Sequence, residues 1–210
     1  MKIMTIVNVN STKNILNKKT SKRIQSEQAI MLAAQHLFAK NGFDATTSKE
    51  IARDADLAEG LIFKYFHDKK GLLQHLMQNW FDKNLNELIA LPQDPNNLKN
   101  ELSILLNWIF NSYYHNLELH KIAIATRLNS NRYSEFEEAC EKYINKRKQL
   151  IYSRLVSLQQ NGQIKKSTNL EHLYEIIQSY AMTEALFLKL EPDQYKISIK
   201  GLINILVNGL

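Results

Sequence analysis

Turn-forming residues are scarce in this chain: six glycines and three prolines among 210 residues, with cysteine present once. So few of them exclude an all-β fold, which needs turn chemistry at every strand reversal. The lone thiol, Cys140, cannot form an intrachain disulfide, which fits a cytoplasmic setting. No apolar run approaches the roughly 18 residues that suggest a membrane-spanning helix, so no membrane partner is expected. The first ten residues lack a clear hydrophobic centre and a small-residue cleavage site. Six histidines are scattered, with no HExxH pair and no cysteine at zinc spacing. A Gly-rich phosphate loop and a nucleophile elbow are missing too, so the reading is of a non-enzyme without cofactor or metal.

What is present favours helices. Apolar residues form 44% of the chain, enough for a sizeable core. The net charge of +6 is unevenly placed: residues 1–26 hold six Lys or Arg and no acid. Residues 1–25 show no sustained period and are expected as a basic flexible arm. Such an arm reads equally as a counterion-releasing attachment to DNA or as a solubilising tail.

From Ser26 a period emerges. Ile30, Ala33, Ala34, Leu37 and Phe38 share one helical face, and Gly42 follows where a left-handed C-cap belongs. Thr47-Ser48-Lys49-Glu50 is a capping box opening a short helix with Ile51 and Ala52. That helix stops near Asp56, and a third covers Ala58 to Phe66, carrying Ile62 and Phe66. Two short helices packed on a longer one make a helix-turn-helix unit. Asp68 can cap a fourth helix, expected over about Lys69–Leu91. Further helices are expected over about 97–116, 117–129, 134–160, 169–190 and 193–208, about nine in all. Asn129-Ser130-Asn131, Asn161-Gly162 and Glu191-Pro192-Asp193 mark turns between them. The fold class is therefore all-α: residues 26–72 a trihelical head, residues 73–210 a larger helical body.

The run Ala29 to Ala34, Leu37-Phe38, Gly42-Phe43, Thr46 to Ala52, Ala55, Gly60, Tyr65-Phe66, Lys69 and Leu72-Leu73 resembles the DNA-binding domain of tetracycline-repressor (TetR-type) regulators. The match covers about residues 26–73 without a gap. The resemblance implies a ligand-responsive repressor, a homodimer on a palindromic operator in double-stranded DNA. It implies a DNA face of Thr47, Ser48, Lys49, Glu59, Gly60, Leu61, Phe63, Lys64 and Tyr65, with Lys69 as a phosphate-contacting lysine. The chain departs from the family at Glu27 (commonly Arg), Asp56 (Gly), Ala58 (Ser), Glu59 (Lys) and Phe63 (Tyr). Asp56 is tolerable because Asp visits the left-handed region. Ala58 removes a hydroxyl cap, and Glu59 sets a negative charge near the phosphates. An alternative is a helical interaction module of the same fold without specific DNA reading.

In the body, the last two long helices are apolar on more than one stripe, so a second copy could cover the extra face. Tyr174, Ile177, Ala181, Ala185, Ile199, Ile203 and Leu206 are the interface residues expected there. An effector pocket for an apolar or aromatic small molecule is expected from Trp80, Trp108, Asn111, Tyr114, His115, Arg127 and Tyr143. The run of Glu135, Glu137, Glu138 and Glu141 followed by Lys142, Lys146, Arg147 and Lys148 reads as a solvated helix face.

Overall fold

The computed structural model describes the backbone of residues 4–128, 134–188 and 192–210. The turns expected at Asn129-Ser130-Asn131 and at Glu191 fall outside the described residues. Among those described are nine α-helices, one π-helical turn and no strand. No described helix is long and apolar enough to cross a membrane. The chain divides into two units, residues 1–77 and 78–210, five residues later than the 72/73 boundary expected.

The head begins with α1 (Met4–Asn41). The expected flexible arm is thus helical from residue 4 and continuous with the predicted first helix. Its residues contain neither Gly nor Pro, so nothing local stops the helix. Ile30, Ala33, Ala34 and Phe38 form the buried face. Gly42 ends α1 at φ 84°, its N–H donating to the Phe38 carbonyl at 3.0 Å. The left-handed φ explains the glycine. Thr46, fully buried, donates its hydroxyl to the Gly42 carbonyl at 2.8 Å and holds the loop.

The capping box forms as the sequence indicates. The Glu50 N–H donates to the Thr47 hydroxyl at 3.2 Å, and the Thr47 N–H to the Glu50 carboxylate at 2.8 Å. It starts α2 (Ser48–Asp54), which buries Ile51 and Ala52. Asp56 turns the chain at φ 53°, the left-handed conformation expected of it. The third helix, α3 (Gly60–Phe66), starts two residues later than Ala58. Its entry is closed by short i to i+3 bonds, Leu61 N–H to Ala58 and Ile62 N–H to Glu59, with no side-chain cap. Asp68 caps α4 (Lys69–Ala90), accepting from the Gly71 N–H at 2.6 Å.

In the body follow α5 (Leu98–His115), α6 (Leu117–Leu128), α7 (Ser134–Gln160), α8 (Leu170–Thr183) and α9 (Pro192–Gly209). Asn97 and Asn169 cap α5 and α8 through side-chain oxygens. A π-helical turn, Glu184–Leu188, prolongs α8 where an unbroken α-helix was expected. The core is built on α5, whose Leu102, Leu105, Leu106 and Ile109 are sealed against α7, α8 and α9.

That packing places the residues expected at the interface inside the single chain. Tyr174, Ile177, Ala181, Ile199, Ile203 and Leu206 are buried in the chain's own core, and Ala185 packs half-buried against it. The stripe they share is already covered by α5 and α7. Ile176, Ile197 and Ile205 point outward instead, 55%, 71% and 71% exposed.

Candidate nucleic-acid interface

Helix α3 is amphipathic within two turns. Ile62 and Phe66 anchor it in the head, which turns Gly60, Phe63 and Lys64 to solvent and leaves Glu59, Leu61 and Tyr65 half-buried. A Cβ at Gly60 would meet nothing within 4 Å. No internal contact demands glycine there, so the space beside this backbone is open to an approaching surface. Phe63, half exposed, is an apolar group suited to a thymine methyl.

Two cations lie against the Tyr65 ring. The Arg23 guanidinium lies 5.4 Å from its ring centroid and the Lys64 ammonium 5.8 Å away. Arg23 is oriented in turn by Glu27, its Nε donating to that carboxylate at 2.7 Å. Arg23 therefore joins the face formed by α3, whereas the sequence assigned it to the arm. Glu27 stands where the family commonly has Arg, and here it fixes a neighbouring Arg. Side chains before Thr20 lie outside the described residues, so Lys2, Lys13, Lys18 and Lys19 are not placed.

At the start of α2, Thr47 and Lys49 are exposed and Ser48 is half-buried. The Thr47 hydroxyl donates to the Glu50 carboxylate at 2.8 Å, so its hydrogen is spent on the cap. Those contacts hold the Glu50 carboxyl below its ordinary range. Lys69 differs more from expectation. Its ammonium donates to the carbonyls of Phe43 at 2.7 Å and Thr46 at 2.6 Å, inside the head. Desolvation pushes its pKa down. It can lend positive field to a phosphate but has few donors left for one.

The body residues expected to line a pocket separate into two sets. Trp80, Trp108 and Tyr143 are buried. Trp80 lies 4.7 Å from the His120 ring, His120 stacks on Tyr113 at 4.2 Å, and Phe81 stacks on Tyr143 at 4.4 Å. Tyr114, His115 and Arg127 are exposed and Asn111 is half-buried, so these do not join that aromatic cluster. The interior polar groups are others. The Tyr143 hydroxyl donates to Asn84 at 2.5 Å, Asn84 donates to Ser112 at 2.7 Å, and Arg147 lies over the rings of Trp108 and Tyr113. Outside Tyr143 is a cavity of about 390 Å³ between α4 and α7, floored by Phe81 and rimmed by Asp82, Glu138, Lys142 and Lys146.

Arg147 corrects the reading of α7 as a solvated face. Glu138 and Lys142 do pair in solvent at 2.6 Å, and Lys146 is exposed, but Arg147 is buried; the side chain of Glu135 lies outside the described residues. The signal was available: Phe136, Cys140, Tyr143, Arg147, Ile151, Arg154 and Leu158 recur at steps of three and four, so both arginines sit on the apolar stripe. Cys140 is a packing thiol, its pKa pushed up to about 12 by burial, and so unreactive.

Residues 30–76 match the family model described as bacterial regulatory proteins, tetR family. The chain is 26% identical over 147 residues to the uncharacterized HTH-type transcriptional regulator YvkB of Bacillus subtilis (strain 168), spanning 70% of this chain and 75% of that one. A solved tetR-family regulatory protein from Rhodococcus RHA1 superposes with TM-score 0.69 at 16% identity, over 87% of this chain and 95% of its own. The regulator FadR from Bacillus subtilis, in complex with stearoyl-CoA, superposes at TM-score 0.62 and 20% identity, over 87% of this chain and 98% of its own. At such identities the structural likeness is one of fold.

Proposed function

Since residues 30–76 are the helix-turn-helix DNA-binding domain of a tetR-family transcriptional regulator, we propose that this chain is a ligand-responsive repressor acting as a homodimer on a palindromic operator. The observation that carries the reading is the outward face of α3: Gly60, Phe63 and Lys64 free of the head's core, with Tyr65 braced by Arg23. In the proposed complex α3 enters the major groove. Lys64 and Phe63 meet base edges, while Lys49, Ser48 and Arg23 meet phosphates.

Two-fold operators separate half-sites by about 34 Å, which asks for two heads in one assembly. The second copy would dock on the exposed faces of α8 and α9, through Ile176, Ile197 and Ile205. Gly201, four residues from both isoleucines of α9, leaves open space for a close helix approach. The effector would occupy the body; FadR from Bacillus subtilis, of the same fold, is known in complex with a small molecule, stearoyl-CoA. The effector acts by binding the DNA-free arrangement more tightly than the DNA-bound one. Helix α4 carries the chain from the head into the body and is the covalent route for that coupling.

A mobility-shift titration with the DNA upstream of its own gene tests the reading. Sharp binding that survives excess nonspecific competitor, weakened roughly tenfold or more by Lys64→Ala, is expected. Binding that only tracks ionic strength would instead mean a fold retained without sequence reading, with the basic residues of α1 supplying the affinity. Sedimentation of Ile205→Asp, expected as monomer where the parent is dimer, tests the second copy.

A further inference from the structure

Arg147 is fully enclosed, yet no carboxylate among the described residues pairs with it. Glu101 pairs with Arg154 and Glu171 with Lys148, and the groups acting on Arg147 are the tyrosines Tyr113, Tyr143 and Tyr174. A buried guanidinium without an anion is strongly disfavoured. The rings of Trp108 and Tyr113, at 5.3 and 5.6 Å from its central carbon, offset part of that, and Tyr113 shares a hydrogen bond with it. Its Nε and Nη2 still have no partner. Those two nitrogens form one edge of the guanidinium, the two-donor edge that matches the two oxygens of a carboxylate.

The surroundings fit the rest of such a molecule. The indole N–H groups of Trp80 and Trp108 and the Nε2 of His120 are also buried without partners. Trp108 lies against the Arg147 guanidinium, and a chain of contacts leads from Arg147 through Tyr113, His120 and Trp80 to Tyr143. Tyr143 is also part of the wall of the open cavity between α4 and α7. The unpaired indole N–H donors and the open Arg147 edge, beside apolar ring faces, suit an amphipathic anion, while the neutral His120, which donates to the Ser112 carbonyl, turns Nε2 to the cluster as an acceptor.

We propose that the effector is an organic monocarboxylate with an aromatic or aliphatic body, its carboxylate held by the Nε/Nη2 edge of Arg147. The inference rests on the ligand-responsive reading above and adds the ligand's class and its anchor. Binding is read here without DNA, so a failure of this inference is distinct from a failure to bind an operator.

Both tryptophans of the chain lie in this cluster, so intrinsic fluorescence reports the site directly. The full-length protein is titrated with octanoate and phenylacetate, with the matching amides, and with acetate. Saturable emission changes are expected for the two larger carboxylates, with amides and acetate weaker by roughly tenfold or more. Arg147→Met abolishes the preference for carboxylate over amide, whereas its ligand-free melting temperature stays at or above the parent's, since an unpaired buried charge has been removed. Arg147→Lys keeps a weakened preference, because a point charge without the fork remains; it carries the test if the Met variant does not fold. The proposal is overturned if no carboxylate moves the emission, if amides or acetate bind as well as octanoate, or if Arg147→Met retains the carboxylate preference.

Discussion

The ammonium of Lys69 sits 4.3 Å from the centroid of the Phe43 ring and donates to the carbonyl of the same residue at 2.7 Å. With the further bond to Thr46 at 2.6 Å, it ties the start of α4 to the loop between α1 and α2. A family position read as a phosphate contact is here an internal fastener of the head. Lys69→Met keeps the stem over Phe43 but drops the charge-assisted bonds, and is expected to cost about 2 kcal/mol in denaturant unfolding. Lys69→Arg should rescue little, since a planar fork cannot replace a compact ammonium converging on these carbonyls. A variant as stable as the parent would return Lys69 to a purely DNA-facing role.

The junction of α3 and α4 carries two further constraints of opposite sign. A Cβ on Gly71 would lie 2.1 Å from the Phe66 carbonyl oxygen, a backbone atom with no freedom to swing aside. Gly71→Ala is therefore expected to destabilise the head by about 1–3 kcal/mol. Two residues before α4, His67 holds φ 69° and ψ −48° with a Cβ present, a sparsely populated conformation. His67→Gly relieves that strain against a looser unfolded chain, so a net gain of up to about 1 kcal/mol is expected. Thermal unfolding of both variants reads the two signs together.

Local signals in the head were legible because they are closed within a few residues. The Gly42 cap, the Thr47–Glu50 box, the left-handed Asp56 and the Asp68 cap each follow from short-range chemistry. Gly71 was unreadable, because the atom it makes room for approaches only once α4 has turned back on α3. Residues 4–25 lack an apolar period and so looked disordered, although nothing in them ends a helix. In the body, residue type misled in two directions. Arg127 is exposed where it was assigned to the pocket, and Arg147 is buried where it was assigned to solvent. Position on the stripe of α7 outweighs the charge of the side chain. For α8 and α9, counting apolar residues located the helices but not which stripe the chain keeps for itself.

Glu101 and Arg154 form an ion pair that is almost wholly enclosed. Arg154 also donates to the Pro92 carbonyl at 2.5 Å, and Glu101 accepts from the Asp94 N–H at 2.6 Å, so the pair fastens the link between α4 and α5. Removing one partner leaves a buried charge without compensation. Arg154→Met is expected to lose about 3–5 kcal/mol, and Glu101→Gln nearly as much. Replacing both by apolar residues of similar size should recover much of that loss. A double-mutant cycle from urea unfolding measures the coupling, and additive losses would refute it.

His120 gives the body an acid-sensitive element. Burial, and then the neighbouring Arg147, pushes its pKa down from 6.5 to about 3. The folded chain thus keeps the ring neutral where the unfolded chain protonates it. Below pH 6.5 the unfolded state binds a proton that the native state refuses, so stability falls with pH until about pH 3, and above pH 6.5 the effect vanishes. One pH unit below the unfolded pKa the loss is about 1.4 kcal/mol. Unfolding free energies measured at pH 7.5 and pH 5.5 should differ by roughly that amount from this residue. In His120→Gln, which cannot take up a proton, that part of the difference should disappear whatever the variant's absolute stability. An unchanged pH dependence in the variant would mean that His120 takes up its proton as readily in the folded chain as in the unfolded one.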